Sequence, residues 1–282
     1  MIDTHQHLLY PEHFGYAWTK ELPALDKAFH LADYREAAKD TPISGTLFME
    51  VDVDEGQAGK EAAFFCKLAE DESSGILGVI ASARPEVQGF DAQVEALLHP
   101  KLKGIRRVLH TQPDALSESA LFREQLGCLA NYDLTFDLCV RQDQLDKAIA
   151  LARACPNVTF ILDHCGVPGI AGNDATTGEG WQHWQKSIRK LAELPNVNGK
   201  LSGITVYASE AQRTEQGLKP YIEVMLEAFG GKRLVWGGDW PVVLLGSGLK
   251  RWCELSQSLL QKLSQEEQSA IFSANAHHIY KL

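Results

Sequence analysis

Leu134-Thr135-Phe136-Asp137-Leu138-Cys139-Val140, running on through Arg141-Gln142-Asp143-Gln144-Leu145-Asp146-Lys147-Ala148-Ile149-Ala150-Leu151-Ala152-Arg153-Ala154, holds the pattern that decides the fold. Its first part is apolar and β-prone, which predicts a strand over 134–140. Its second part puts Leu145, Ile149 and Ala152 on one face, which predicts a helix over 142–154. A strand that passes at once into an amphipathic helix is the first half of a crossover to a parallel neighbour.

Outward from this unit the alternation continues in both directions. Apolar runs over 1–7, 43–51, 76–81, 104–109, 158–162, 197–204 and 234–236 predict the other strands. Helical periodicity fills 22–39, 58–70, 90–98, 117–131, 181–193, 217–229 and 249–263, with Trp181, Trp184, Ile188 and Leu191 sharing a face in 181–193. A last helix opens at the capping box Ser264-x-x-Glu267. Eight units in 282 residues leave 282/8, about 35 residues each, enough for a strand, a helix and two loops. These observations predict an α/β fold: one (β/α)8 TIM-barrel domain over 1–282 with an extra C-terminal helix. A doubly wound open sheet shares the alternation, but its phosphate-binding fingerprints, G-x-G-x-x-G and G-x-x-x-x-G-K-[ST], are missing from the sequence.

Composition narrows the function. Twenty-seven Lys+Arg against 37 Asp+Glu give 27 − 37 = −10, a balance that disfavours nucleic acid and anionic membranes as partners. No long uncharged apolar stretch and no leader-like start are present, so a cytoplasmic protein acting on a small molecule is expected, with a homo-oligomer compatible. The six cysteines are scattered without a C-x-x-C pair, which fits a reducing compartment and small buried side chains rather than disulfides.

In a barrel of this kind the chemistry sits at the C-terminal ends of the strands. The first predicted strand ends Asp3-Thr4-His5-Gln6-His7, and strand alternation puts His5, His7 and Asp3 on one face. Two imidazoles so spaced can ligate one zinc-like ion, or form an ordinary hydrogen-bonded pair. The sixth ends Leu162-Asp163-His164-Cys165-Gly166, and the eighth Trp236-Gly237-Gly238-Asp239-Trp240-Pro241, where two glycines allow the backbone close approach beside a carboxylate.

Taken together, His-x-His on the first strand, His164 on the sixth and Asp239 on the eighth resemble the amidohydrolase superfamily. The resemblance is strongest to its amidohydrolase-2 branch, which includes L-fuconolactonase, L-rhamnonolactonase and 2-pyrone-4,6-dicarboxylate lactonase. It extends through Lys103-Gly104-Ile105-Arg106, Val140-Arg141-Gln142-Asp143-Gln144-Leu145, Gly199-Lys200-Leu201-Ser202-Gly203 and Asn275-Ala276. The resemblance implies a distorted TIM barrel that hydrolyses a cyclic ester, with one divalent metal, zinc foremost, or none. The fifth strand lacks a terminal histidine and the fourth lacks a bridging lysine, which argues against a binuclear centre.

On this reading Asp239 takes a proton from water and returns it to the leaving oxygen. His5, His7 and His164, with Asp239, hold one metal, or the histidines hydrogen-bond the developing oxyanion directly, His164 acting in catalysis. Arg106 and Arg141 offer planar forks for a substrate carboxylate or hydroxyls, and only one of Arg106 and Arg107 can face inward. Glu50, Lys200 and Trp240 complete the expected substrate contacts, against a solvated strand end for Glu50, a buried ion pair for Lys200 and plain packing for Trp240. The aromatic loop Tyr10, Phe14, Tyr16 and Trp18 either shapes specificity or packs itself, and the remaining histidines, His110 among them, read as surface or capping residues. Other readings are a lactone isomerase, a decarboxylase or other amidohydrolase-type hydrolase, and a non-catalytic metabolite binder. Serine-hydrolase chemistry lacks its G-x-S-x-G elbow.

Overall fold

In the computed structural model, which describes residues 1–171 and 176–282, every predicted strand forms. They are β1 (Ile2–Gln6), β2 (Gly45–Met49), β3 (Ile76–Ser82), β4 (Leu102–Val108), β5 (Thr135–Cys139), β6 (Thr159–Leu162), β7 (Val197–Leu201) and β8 (Leu234–Trp236). All pair in parallel in the order β1 to β8, a (β/α)8 barrel with the helices outside. The side-chain period of two sorts each strand into two faces. Along β5, Phe136 packs outward against Phe122 and Phe160, while Asp137 faces Lys200 across the interior.

The seam between β1 and β8 is short and irregular. Asp239 N donates to His5 O at 2.8 Å and His7 N to Trp240 O at 2.7 Å. Gly237 and Gly238 make this approach sterically feasible: a Cβ on Gly237 would stand 2.7 Å from the His5 Cβ, and one on Gly238 2.4 Å from Asp3 Oδ2. β1 also carries a register shift between Asp3 and Gln6. Asp3 therefore departs from the expected alternation and turns toward the helix layer, where it accepts from the Tyr34 hydroxyl at 2.7 Å and from Gly238 N at 2.6 Å.

The lower interior is apolar. Ile2, Leu47, Met49, Ile80, Ile161 and Val235 meet Ala276, Ile279 and Tyr280 of the last helix, Asn275–Tyr280, which plugs the barrel floor.

Three expected helices differ. The 22–39 helix is confined to Leu31–Ala38, because the chain before it turns over Leu22–Lys27 and then pairs Phe29 with Leu9 through two backbone hydrogen bonds at 2.9 Å. The 117–131 helix divides at Ser119, whose hydroxyl caps the N-terminus of Ala120–Leu126. The terminal helix opens at the Ser264/Glu267 box, then widens into a π-turn over Ala270–Ala274 before Asn275–Tyr280. No helix among the described residues is long and apolar enough to cross a membrane.

Candidate active site

His5, His7, His164, Asp239, Arg106, Glu50 and Lys200 converge at the upper barrel interior, all of them buried. His7 Nδ1 lies 2.9 Å from Met49 O; a carbonyl only accepts, so the ring proton is on Nδ1 and the Nε2 lone pair is left 3.7 Å from Asp239 Oδ1. His5 Nε2 is 3.8 Å from the same oxygen. His164 Nδ1 stands 2.9 Å from Ser202 Oγ and 4.0 Å from Asp239 Oδ2.

Two of these residues sit on left-handed backbone, His164 at φ 54° and Asp239 at φ 57°. Such conformations cost on the order of 1–3 kcal/mol in non-glycine residues and gather where the surrounding fold enforces them. Gly203 makes room for the His164 ring: a Cβ there would fall 2.5 Å from the imidazole Nδ1.

The electrostatics arise from burying charge in pairs. Lys200 Nζ lies 2.5 Å from Asp137 Oδ1 and 2.8 Å from Asp163 Oδ1, and Tyr280 OH donates to Asp137 at 3.0 Å. Burial works against the Lys200 ammonium, but the two carboxylates outweigh it and raise its pKa. Burial likewise opposes the Asp163 carboxylate, and Lys200 and His5 overcome it, holding Asp163 well below the usual range. Asp239 goes the other way: burial pushes it well up, and Arg106 only partly offsets that. Burial holds His5 and His7 well below an ordinary imidazole, and brings His164 down to about 3. The result is a carboxylate with raised proton affinity beside three neutral imidazoles.

Arg106 is the inward member of its pair, while Arg107 turns away to Glu86 at 2.7 Å. Glu50 faces the interior but is engaged by Arg106. Lys200 is the buried ion pair rather than an open substrate contact. Arg141 sits at the rim, half exposed, bound to Asp143 at 2.9 Å and to the His110 carbonyl. Trp240 is buried behind the seam against Phe29 and Tyr34. The aromatic loop packs itself: Tyr10 and Phe14 lie on Phe64 and Phe65, and Trp18 donates to Val51 O. In the loop over 166–180, residues 172–175 lie outside the described residues. A cavity of about 930 Å³ opens beside the mouth, lined by Trp18, Asp52, Arg84 and Arg107, and touches none of the His/Asp cluster.

Four features escaped the sequence reading. Asp163 and Asp137 are the counter-charges of Lys200. His110, half-buried, has Nδ1 3.0 Å from the buried Cys139 Sγ, and burial, Arg106 and Arg141 bring it down to about 4. Tyr207, just after β7, lies near enough to Asp239 for that carboxylate to add to burial in raising its phenol. The inward phase of Asp137 and Cys139 was readable from the outward Phe136 and Leu138 of the same strand; the Tyr207 position had no sequence signal.

A parallel barrel with a His-x-His strand, a histidine after β6 and an aspartate after β8 defines a metal-type hydrolase scaffold. The chain belongs to the Amidohydro_2 family, described as Amidohydrolase, whose model matches residues 2–282. It is 30% identical to an L-fucono-1,5-lactonase of Burkholderia ambifaria over 65% of this chain and 62% of that protein, so the match spans less than two thirds of that relative. A second L-fucono-1,5-lactonase, from Burkholderia multivorans, is 28% identical over 100% of this chain and 96% of its own. The crystal structure of an amidohydrolase from Burkholderia multivorans with bound Zn superposes with a TM-score of 0.88 at 26% identity, covering 100% and 99% of the two chains.

Proposed function

We propose that the protein hydrolyses a small cyclic ester, a sugar-acid lactone of the L-fuconolactone or L-rhamnonolactone kind, with Asp239 as general base toward water. The observation that carries this reading is Asp239 itself. It is a buried carboxylate whose proton affinity is raised, facing the Nε2 atoms of His5 and His7 at 3.8 and 3.7 Å with no lysine or arginine in direct contact. The lactonase relatives support the ester class.

Lactone opening needs a deprotonated water, a polarised carbonyl and a proton for the departing alkoxide. Asp239 takes the water proton and, as a carboxylic acid, returns it to the ring oxygen. His164, neutral and fixed by Ser202, donates to or orients the substrate carbonyl oxygen. Arg106 supplies fixed positive charge for the tetrahedral oxyanion, and Arg141 is placed to meet hydroxyls at the rim.

His5, His7 and Asp239 place two imidazole nitrogens and a carboxylate oxygen within 4.8 Å of one another, as do His5, Asp163 and His164. This donor chemistry fits a zinc-like ion, and the Met49 carbonyl behind His7 is the kind of outer partner that aims such a ligand. His5, His7 and Asp239, with His164 alongside, would hold it; when bound, such an ion polarises a carbonyl or acidifies water.

The test is a pH-indicator assay on a panel of sugar-acid γ- and δ-lactones and 2-pyrone-4,6-dicarboxylate, with Asp239→Asn as control. Acid release lost in the variant supports the reading. Silence across the panel, or full turnover by Asp239→Asn, overturns it.

A further inference from the structure

His5 stands between two cations, and hydrogen-bond direction tells which nitrogen each can use. Arg106 Nη1 donates to His5 Nε2 at 3.3 Å. A guanidinium has donors only, so Nε2 must carry the lone pair and the ring proton must sit on Nδ1. The Nδ1 side faces Asp163 Oδ1 at 3.4 Å; Lys200 Nζ also lies 3.3 Å from Nδ1, but it has closer acceptors in Asp137 at 2.5 Å and Asp163 at 2.8 Å. Arg106 is firmly anchored: its Nε donates to Glu50 Oε1 at 2.6 Å, its Nη2 to the Glu50 carbonyl at 2.6 Å, and Asp163 Oδ2 lies 3.8 Å from Nη1. Only 4% of Arg106 is exposed. His7, two residues on, is the contrasting case: its Nδ1 donates to the Met49 carbonyl, and among the described residues no donor engages its Nε2.

We infer that Arg106 is the resident cation of this site and that it and a divalent metal ion are alternative partners of the same His5 lone pair. A metal bound by His5, His7 and Asp239 needs the Nε2 electrons that Arg106 occupies, and it must also enter beside a guanidinium that does not deprotonate in proteins. Wild-type protein therefore binds zinc more weakly than its donor set would without Arg106, and the glutamate that pins Arg106 acts, through it, as a positioning residue against metal. This holds whether or not the substrate is a lactone.

The experiment titrates zinc alone into metal-stripped, full-length protein in competition with a chromogenic chelator. It compares wild type, Arg106→Met, Arg106→Lys and the double variant Arg106→Met/Glu50→Gln, in which no buried carboxylate is left without its partner. Circular dichroism checks the fold of each. Arg106→Met and the double variant are expected to bind one zinc per chain roughly tenfold tighter than wild type or more, equivalent to about 1.4 kcal/mol. Arg106→Lys, which keeps the charge and withdraws the fork, is expected to fall between them. Adding His7→Ala to the double variant should remove the gain. Equal zinc affinity in wild type and the double variant overturns the inference. So does an Arg106→Lys protein that matches wild type while Arg106→Met binds tightly, because net charge and not the His5 hydrogen bond would then be the cause.

Discussion

The floor and the mouth of the barrel are both lined by inward-facing residues, and both are buried, yet they are opposite in chemistry. At the floor Leu47, Ile80, Ile161 and Val235 close on Ile279 and Tyr280. One layer up, Asp137, Lys200, Asp163 and Arg106 are just as inaccessible and carry charge, with the neutral His5 among them. What separates a core from a site here is how the buried groups are compensated. The floor is held by apolar contact alone. The mouth is held by charge pairing along a column from the Tyr280 hydroxyl through Asp137, Lys200 and Asp163 to His5, in which Asp137 Oδ2 and both Asp163 oxygens have no hydrogen-bond partner among the described residues. The column ends at Asp239, whose carboxylate no lysine or arginine among the described residues pairs directly.

That contrast can be broken at several points. The largest effect is expected at its upper end: Asp239→Asn should lower lactone kcat/KM by about 10²–10⁴ while leaving the melting temperature near wild type, since the change removes proton transfer and no packing. In the middle of the column Lys200→Met should destabilise by about 3–5 kcal/mol in urea denaturation, because it strands Asp137 and Asp163, and Asp137→Asn added to it should recover part of the loss. At the floor, Ile161→Ala should cost about 2–4 kcal/mol and leave kcat intact, a loss that no second polar substitution repairs.

A pH dependence sharpens the comparison further. His110 is held down to about 4 in the folded protein, so the unfolded chain takes up its proton first as the pH falls. Its stabilising contribution is full above the ordinary imidazole pKa of about 6.5 and is lost as the pH drops from there toward 4. His110→Asn should flatten that part of the stability profile by no more than about 2 kcal/mol, measured by denaturant melts at successive pH values. The smallest effect is expected where floor and column meet: Tyr280→Phe should cost about 1 kcal/mol, with a modest fall in kcat if Asp137 no longer fixes Lys200.

Much of this architecture was legible from residue order. Alternating strands and helices pointed to the barrel because each strand keeps one outward apolar face for the helix layer, and His5, His7, His164 and Asp239 stand out because each lies where a strand ends, where the structure brings them side by side. The 22–39 helix failed because the Leu9–Phe29 pairing, a contact between loops, overrides local periodicity. Asp3 was placed on the wrong face because a register shift inside β1 interrupts the alternation. Asp137 and Asp163 went unread because a lone acidic residue in an apolar strand shows its meaning only once its counter-ion, 63 or 37 positions away, is brought beside it. Arg141 stands at the expected strand end, where the short loop behind it supplies Asp143 as a half-exposed ion-pair partner that residue order did not announce.

The seam has a consequence for the order of folding. Thr4 Oγ1 donates to Trp236 O across 232 positions, and Gly238 N reaches Asp3 across 235. These contacts, which bring Asp239 to His5 and His7, have among the largest sequence separations in the chain. Neighbouring strands can pair after closing a loop of some 30 residues, whereas the seam must wait until the intervening units have brought its two sides together. An incompletely folded chain can thus hold nearly all of its β-ladder and still have no active site, which makes turnover a stricter report of complete folding than secondary-structure content.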